Sequence, residues 1–438
     1  MIDAFRRSPH DREILRIAVP ALGALAADPV VSLIDTAFVG RLGAAALASV
    51  AIAGAVYAAA FAVFNFLEYA VTPFVAEAVG SGDRTGAGRF TFAAFVTSLA
   101  AGVVAAAGIF ASGELVLRAF GAQPDVLEGA TTYLRIRSLG VPALLVVLVG
   151  HGAFRGYQDT RTPLVVTLGL NVVNLVLDPV LIFGLGWGIA GAAWATVVAQ
   201  WSGAVGFSML FFWTRRAELG IRLGRLDGKA VRPLFSAGRA MVVRNLALLG
   251  ALTAATAVAA RIGTAAVAAH QIAMQLWIFL ALVLDALAIA GQALVGVELG
   301  RGDPTAARAV ANRLVALGFA FGVLLATLLA MSAPWLGSWF TSDEAVLAAF
   351  ASILPIVILM QPANGVVFVW DGIIIGAARF RFFAGSTVAA AVVMIGGLAV
   401  VAWRGGGLVG VWAALVALMA ARATALWWWY AARFGAGG

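Results

Sequence analysis

The sequence predicts an all-α integral membrane protein, with twelve transmembrane helices in two pseudo-symmetric six-helix bundles around a central cleft. Three observations point there. Hydrophobic residues make up 63% of the chain and charged residues 11%, with a mean hydropathy of +0.99, whereas about a quarter of the residues of a soluble domain are charged. Apolar runs of about 20 residues, enough to span a bilayer, recur from end to end. The chain also repeats itself at one constant offset: RLGAAALASVAIA at 41–53 returns as RIGTAAVAAHQIA at 261–273, and GSGD at 80–83 as GRGD at 300–303. Pro142 and Pro362, Gly156 and Gly376, and Arg161 and Arg381 keep the same spacing. A period this long is no solenoid. Duplicated bundles are a common transporter plan, with the substrate site between the halves.

Taken in order, the spans of the first repeat fall near 17–39, 46–78, 92–117, 133–154, 163–186 and 188–213. Those of the second fall near 234–258, 265–298, 312–333, 347–376, 383–402 and 407–432. The most polar stretch between spans, TRRAELGIRLGRLDGKAVRP at 214–233, divides the chain into an N-lobe (1–213), a cytoplasmic linker (214–233) and a C-lobe (234–438). In the first span Pro20 and Pro29, and in the fifth Pro179, each remove an i→i−4 hydrogen bond and permit a kink. Pro29 and Pro179 directly follow Asp28 and Asp178. After the second and eighth spans the GxGD loops must turn tightly. Their glycines supply positive φ, and Asp83 or Asp303 caps the next helix.

The charge is distributed by topology. With the N-terminus inside, twenty-one of the 29 Lys and Arg residues fall on one side of the membrane, Arg6 and Arg7 among them. Six fall on the other, and Arg244 and Arg422 lie within spans. That bias is the positive-inside pattern, with both termini cytoplasmic; the expected location is a bacterial inner membrane. The net charge of +8 thus reads as orientation rather than nucleic-acid binding. The charged first sixteen residues read as an uncleaved cytoplasmic start, and the tail ARFGAGG as short and flexible. With no cysteine there is no disulfide or thiolate chemistry. Gly228-Lys229 lacks the phosphate-loop frame for ATP hydrolysis, and three scattered histidines make a poor metal site. No enzyme and no cofactor are expected.

In so apolar a chain the ionisable residues inside spans carry the functional signal, because each is costly to bury and must face protein or water. They are Asp28, Asp35, Glu68, His151 and Asp178 in the first repeat, and Arg244, Asp285 and Asp371 in the second. Glu77, Glu298 and His270 lie near span ends, where water is close. At the repeat offset Asp35 matches Ala255, Glu68 matches Ala288, Asp178 matches Leu398, Asp285 matches Asn65 and Asp371 matches His151. The glycine and proline scaffold repeats while the acids do not, which points to specialised sites in each half. Asn171, Asn174 and Asp178 share one face of the fifth span, Asp28 and Asp35 one face of the first, and Thr196 adds a hydroxyl on the sixth. An aspartate among amides and hydroxyls in a partly dry cavity can bind and release a proton. The same oxygens can hold Na⁺, and a hydrogen-bonded helix clamp is the structural alternative. In the second half Gln271, Gln275, Asp285 and Gln292 share the eighth span, with Asp371 on the tenth. These, with Glu68, are candidates for a cationic substrate group or a second ion, and Arg244 is expected to pair with one of the acids.

LIDTAFVGRLG at the first span, the GSGD loop, NVVNLVLDPVLIFG, AAHQIAMQLW with LDALAIAGQALVG, and WDGIIIGA together resemble the multidrug and toxic compound extrusion (MATE) transporters, nearest their DinF-like branch. The resemblance spans essentially the whole chain. It implies a V-shaped cleft between two lobes and export of amphipathic, cationic or aromatic small molecules, driven by inward H⁺ or Na⁺. Asp35 and Asp178 match the N-lobe acids of proton-coupled members, with Asn174 and Thr196 alongside, and Pro20 matches a first-helix proline associated with bending. Asp285 and Asp371 match C-lobe acids of related branches, so both lobes offer candidates. Expected partners are the bilayer and the small-molecule substrate, with the chain acting as a monomer. A major-facilitator protein is disfavoured, because Val79 stands where its loop signature places a glycine before Asp83-Arg84. A lipid-linked-saccharide flippase of the same superfamily has a more basic cavity than these acids suggest. An intramembrane transferase needs an interfacial catalytic cluster that these scattered acids do not form.

Overall fold

The computed structural model describes residues 8–62, 64 and 66–434. Arg6, Arg7, Asn65 and the tail at 435–438 lie outside the described residues. Fifteen helices follow one another with no strand among the described residues: α1 (Asp11–Gly40), α2 (Ala44–Ala62), α3 (Phe66–Gly80), α4 (Arg84–Ala119), α5 (Pro124–Ser138), α6 (Val141–Gly156), α7 (Arg161–Pro179), α8 (Gly188–Met209), α9 (Gly228–Ile262), α10 (Thr264–Gly300), α11 (Pro304–Leu336), α12 (Glu344–Leu359), α13 (Gln361–Gly376), α14 (Phe380–Arg404) and α15 (Gly407–Phe434). Nine described segments (α1, α4, α7 to α11, α14 and α15) are long and apolar enough to cross a membrane alone. The pairs α5–α6 and α12–α13 reach that length only together, bent by 50° and 53°. The expected spans 133–154 and 347–376 are therefore each two helices. Within the expected span 46–78 the described residues form α2 and α3, with positions 63 and 65 between them outside the description; the counterpart α10 runs from Thr264 to Gly300.

The chain divides into two compact units, Val19–Gly238 and a second made of Met1–Ala18 with Arg239–Gly438. This division differs from the boundaries expected from polarity. The start of α1 groups with the second unit, where Arg313 grips Asp11 through Nε at 2.6 Å and NH2 at 2.8 Å. The polar 214–233 stretch groups with the first. Its end, from Gly228, is already α9, and its middle is tied down: Tyr157 Oη donates to the Leu219 carbonyl at 2.7 Å, and Arg215 NH1 reaches Asp159 at 2.7 Å. Burial opposes the charge of Asp159, but Arg215 and the Thr162 backbone and hydroxyl hold its carboxyl below the usual carboxylate range.

Each unit is built by the same packing. In the first, α6 lies against α3, α4 and α8, α3 against α4, and α7 against α8; in the second, α13 lies against α10, α11 and α15, α10 against α11, and α14 against α15. The repeated residues sit where these helices touch. A Cβ at Gly102 would lie 2.5 Å from Pro142 Cα, and one at Gly322, its counterpart in the second repeat, 2.7 Å from Pro362 Cα. A Cβ at Gly152 would lie 2.4 Å from the Glu68 carbonyl, and one at Gly372 2.2 Å from that of the matching Ala288. Pro142 and Pro362 stand just after the two bends. In the GxGD loops Gly82 and Gly302 take φ of +77° and +74°, and Asp83 and Asp303 accept from the Gly86 and Ala306 amides at 2.7 and 2.8 Å.

The prolines behave differently from one another. α1 continues unbroken through Pro20 and Pro29, so neither ends the helix. Pro179 does end α7, and a π-helical turn, Val180–Gly184, follows. The wider turn closes with Leu185 N–H on the Val180 carbonyl at 2.8 Å.

Candidate functional site

The first unit holds a cavity of about 480 Å³. Its walls come from α1, α2, α5, α6, α7 and α8, and its polar lining includes Asp28, Asp35, Asp178, Arg137, Tyr57 and His151. The seven-residue spacing of Asp28 and Asp35 on α1, and of Asn171 and Asp178 on α7, turns both pairs towards the same space. Val39, Ile182 and Ala192 seal the end of this helix group as a small apolar cluster.

Asp35 and Asp178 meet there. The two carboxyl groups lie within hydrogen-bonding reach of each other, though one stands on the first helix and the other on the seventh. Asp178 is almost wholly buried and accepts from Asn174 Nδ2 at 3.2 Å. Oδ1 of Asp35 and Oδ1 of Asp178 are buried without a donor among the described residues. Two ionised carboxylates this close repel, and a proton or cation shared between them relieves that repulsion. Thr196, whose hydroxyl donates to the Ala192 carbonyl at 3.0 Å, lines the same cavity. The sequence-derived set Asp35, Asn174, Asp178 and Thr196 is thus brought together.

Sequence reasoning missed the basic side of this cavity. Arg137, expected on the external surface, enters it instead. Its guanidinium sits 4.5 Å from the Tyr57 ring centroid and donates to Gln200 Oε1 at 3.2 Å. The signal was faint: α5 carries Arg135 and Arg137 two residues apart, so only one of them can face out of the bundle. Lower on the wall, Asn171 Nδ2 donates to Asp28 at 3.2 Å, and Thr167 Oγ1 lies 3.1 Å from His151 Nε2. Glu68 does not stand open to a second ion. It forms an ion pair with the buried Arg155 and faces His151 Nδ1 at 3.8 Å.

The second unit uses its acids differently. Asp371 Oδ2 accepts from Arg244 NH2 at 3.3 Å and from Arg422 NH2. Arg244 also lies 4.4 Å over the Phe383 ring. The pairing expected of Arg244 is present, and Arg422 joins it unforeseen. Asp371 Oδ2 is thus already engaged by two guanidiniums where the sequence offered the residue to a cation. Gln292 is buried with Oε1 unpartnered among the described residues, Asp285 is half-buried and Gln275 exposed. His270, placed near water by the sequence, is fully buried, with Nε2 3.2 Å from Thr256 Oγ1.

A duplicated bundle of bent membrane helices, with an acid-lined cavity in one unit, has the plan of a membrane transporter. Comparison with known proteins gives the family. The MatE family model matches residues 20–180 and 240–399, and the chain belongs to this family of multidrug and toxic compound extrusion transporters. It is a multi-pass membrane transporter, not an enzyme. It is 34% identical to Protein DETOXIFICATION 43 of Arabidopsis thaliana, over 96% of this chain and 90% of that one. It is 28% identical to DNA damage-inducible protein F of Escherichia coli, over 95% and 91%, in keeping with the DinF-like motifs. Among solved structures, a MATE transporter crystallised in the bent conformation superposes with a TM-score of 0.89 at 20% identity, covering 96% of this chain and 95% of that one.

Proposed function

We propose that this chain exports amphipathic, cationic or aromatic small molecules by alternating access, in exchange for inward H⁺ bound at the Asp35–Asp178 pair. The carrying observation is the meeting of two carboxyl groups, each with a donorless buried oxygen, in one cavity of the first unit. A proton entering from outside removes their repulsion, loosens α1 near Pro20 and releases substrate. Loss of the proton to the cytoplasm resets the cycle. One positive charge moving down 100 mV supplies about 2.3 kcal/mol, equivalent to roughly a 50-fold gradient of a neutral substrate. The cavity carries the Asp35–Asp178 pair against the single Arg137, an acidic balance that suits cationic groups. Both termini lie in the cytoplasm, as the basic residues are distributed, and the chain works as a monomer in a bacterial inner membrane.

In proteoliposomes, Asp35→Asn and Asp178→Asn should each lower proton-driven export at least about tenfold, the loss of about 1.4 kcal/mol of coupling, and abolish substrate-evoked proton release. Full export by Asp35→Asn overturns the assignment. Proton release that requires Na⁺ replaces H⁺ by Na⁺ as the coupling ion.

A further inference from the structure

The cavity has two polar tiers, and only one of them is occupied by the coupling pair. Asp28 precedes Asp35 by seven residues on α1, and Asn171 precedes Asp178 by seven on α7, which sets the tiers about 10 Å apart at 1.5 Å per residue. The second tier joins four elements. Asp28 of α1 accepts from Asn171 of α7; His151 of α6 meets Thr167 of α7 through Nε2 and Glu68 of α3 through Nδ1. Glu68 continues into Arg155, one helical turn further along α6. Phe207 of α8, which packs on the His151 ring at 5.6 Å, brings no charge. Asp28, His151 and Thr167 open into the cavity, whereas Arg155 is buried behind them.

This arrangement is a path rather than a clamp. A static salt bridge needs Glu68 and Arg155 alone. It has no use for an imidazole whose two nitrogens face a cavity hydroxyl on one side and a carboxylate on the other. With α1 and α7 both starting at the cytoplasmic side, the second tier lies between the Asp35–Asp178 pair and the cytoplasm. A polar cavity of this size holds water to bridge the tiers.

We infer that Asp28, His151 and Glu68 form the proton exit of this transporter, carrying the proton from the Asp35–Asp178 pair to the cytoplasmic face. The inference rests on the proton coupling and orientation proposed above. The proton leaves the Asp35–Asp178 pair through cavity water and is taken up at Asp28 or at His151 Nε2. Imidazole then gives up its Nδ1 proton through a bridging water to Glu68, 3.8 Å away, Glu68 releases it to cytoplasmic water, and turning of the imidazole ring restores the starting tautomer. Arg155 positions the Glu68 carboxylate towards His151.

The test compares His151→Gln, Glu68→Gln and Asp28→Asn with Asp35→Asn in proteoliposomes. Three readouts are taken: proton-driven net export, substrate counterflow without a proton gradient, and substrate-evoked proton release. The exit variants should keep counterflow while net export and substrate-evoked proton release both fall about tenfold or more, and net export slows further in D₂O. A merely structural role would slow counterflow as much as export and leave the isotope effect unchanged. Wild-type net export in both His151→Gln and Asp28→Asn overturns the exit, as does a parallel loss of counterflow in both. Asp28→Asn, which lines the cavity from a different helix, keeps the comparison decisive should His151→Gln fail to fold. If Asp35→Asn also retains wild-type export, the coupling reading itself has failed, a result distinct from failure of the exit alone.

Discussion

Asp371 shows how one contact changes the meaning of a residue. In a chain this apolar an intramembrane aspartate reads as an ion or substrate ligand, but Arg244 and Arg422 both hold Asp371 Oδ2, with Oδ1 buried and without a donor among the described residues. Arg422 is 2% exposed, so removing the acid strands a buried cation. Asp371→Ala should cost about 3–5 kcal/mol, read as a lowered melting temperature in detergent, while export per folded molecule remains proton-driven. An unchanged melting temperature would show that the clamp does not hold the second unit together. Loss of proton coupling at wild-type stability would move the ion site to this lobe. Arg155, which belongs to the cytoplasmic side by charge pattern, is likewise buried, as the ion-pair partner of Glu68. Asp35 and Asp178 are legible as candidates from their spacing. That they meet each other is not.

At the level of elements, the repeat preserves contacts rather than composition. Gly102 and Gly322 admit the backbone of the residues at the two bends, and each lies where α4 or α11 crosses the start of α6 or α13. Gly102→Ala and Gly322→Ala each force a Cβ to within 2.5 Å of backbone atoms, at Pro142 Cα and the Gln361 carbonyl respectively. Each should cost about 1–3 kcal/mol, and by similar amounts because the crossings are equivalent. Thermal unfolding of the two purified variants measures this; a loss in only one would break the equivalence. The bends themselves were hidden, because a turn between two apolar helices leaves the hydropathy of a span intact. The π-helical turn after Pro179 was hidden for a related reason, as proline marks a lost hydrogen bond without stating how the chain absorbs it.

For the whole molecule, membrane orientation is the testable consequence of the charge distribution. The chain has no cysteine, so single introduced thiols report position without background. Gly224→Cys should react with a membrane-impermeant maleimide only after permeabilisation of spheroplasts, and Ser342→Cys in intact ones. The reverse pattern would invert the transporter and with it the direction assigned to the proton exit.

By itself the sequence determined the membrane class, the duplicated scaffold, the family and the short list of buried acids. These depend on composition and on spacing along single helices, which a linear chain records directly. Tertiary structure alone decided which acids have partners. It joined Asp35 to Asp178, turned Arg137 into their cavity, placed His151 against Glu68 and closed Asp371 between two arginines. Such contacts join helices far apart in the chain, as Asn171 of α7 joins Asp28 of α1, and helix periodicity carries no information about which neighbour a face will meet. The long internal repeat thus describes a shared frame, within which packing made one unit's acids an open pair and the other's a closed clamp.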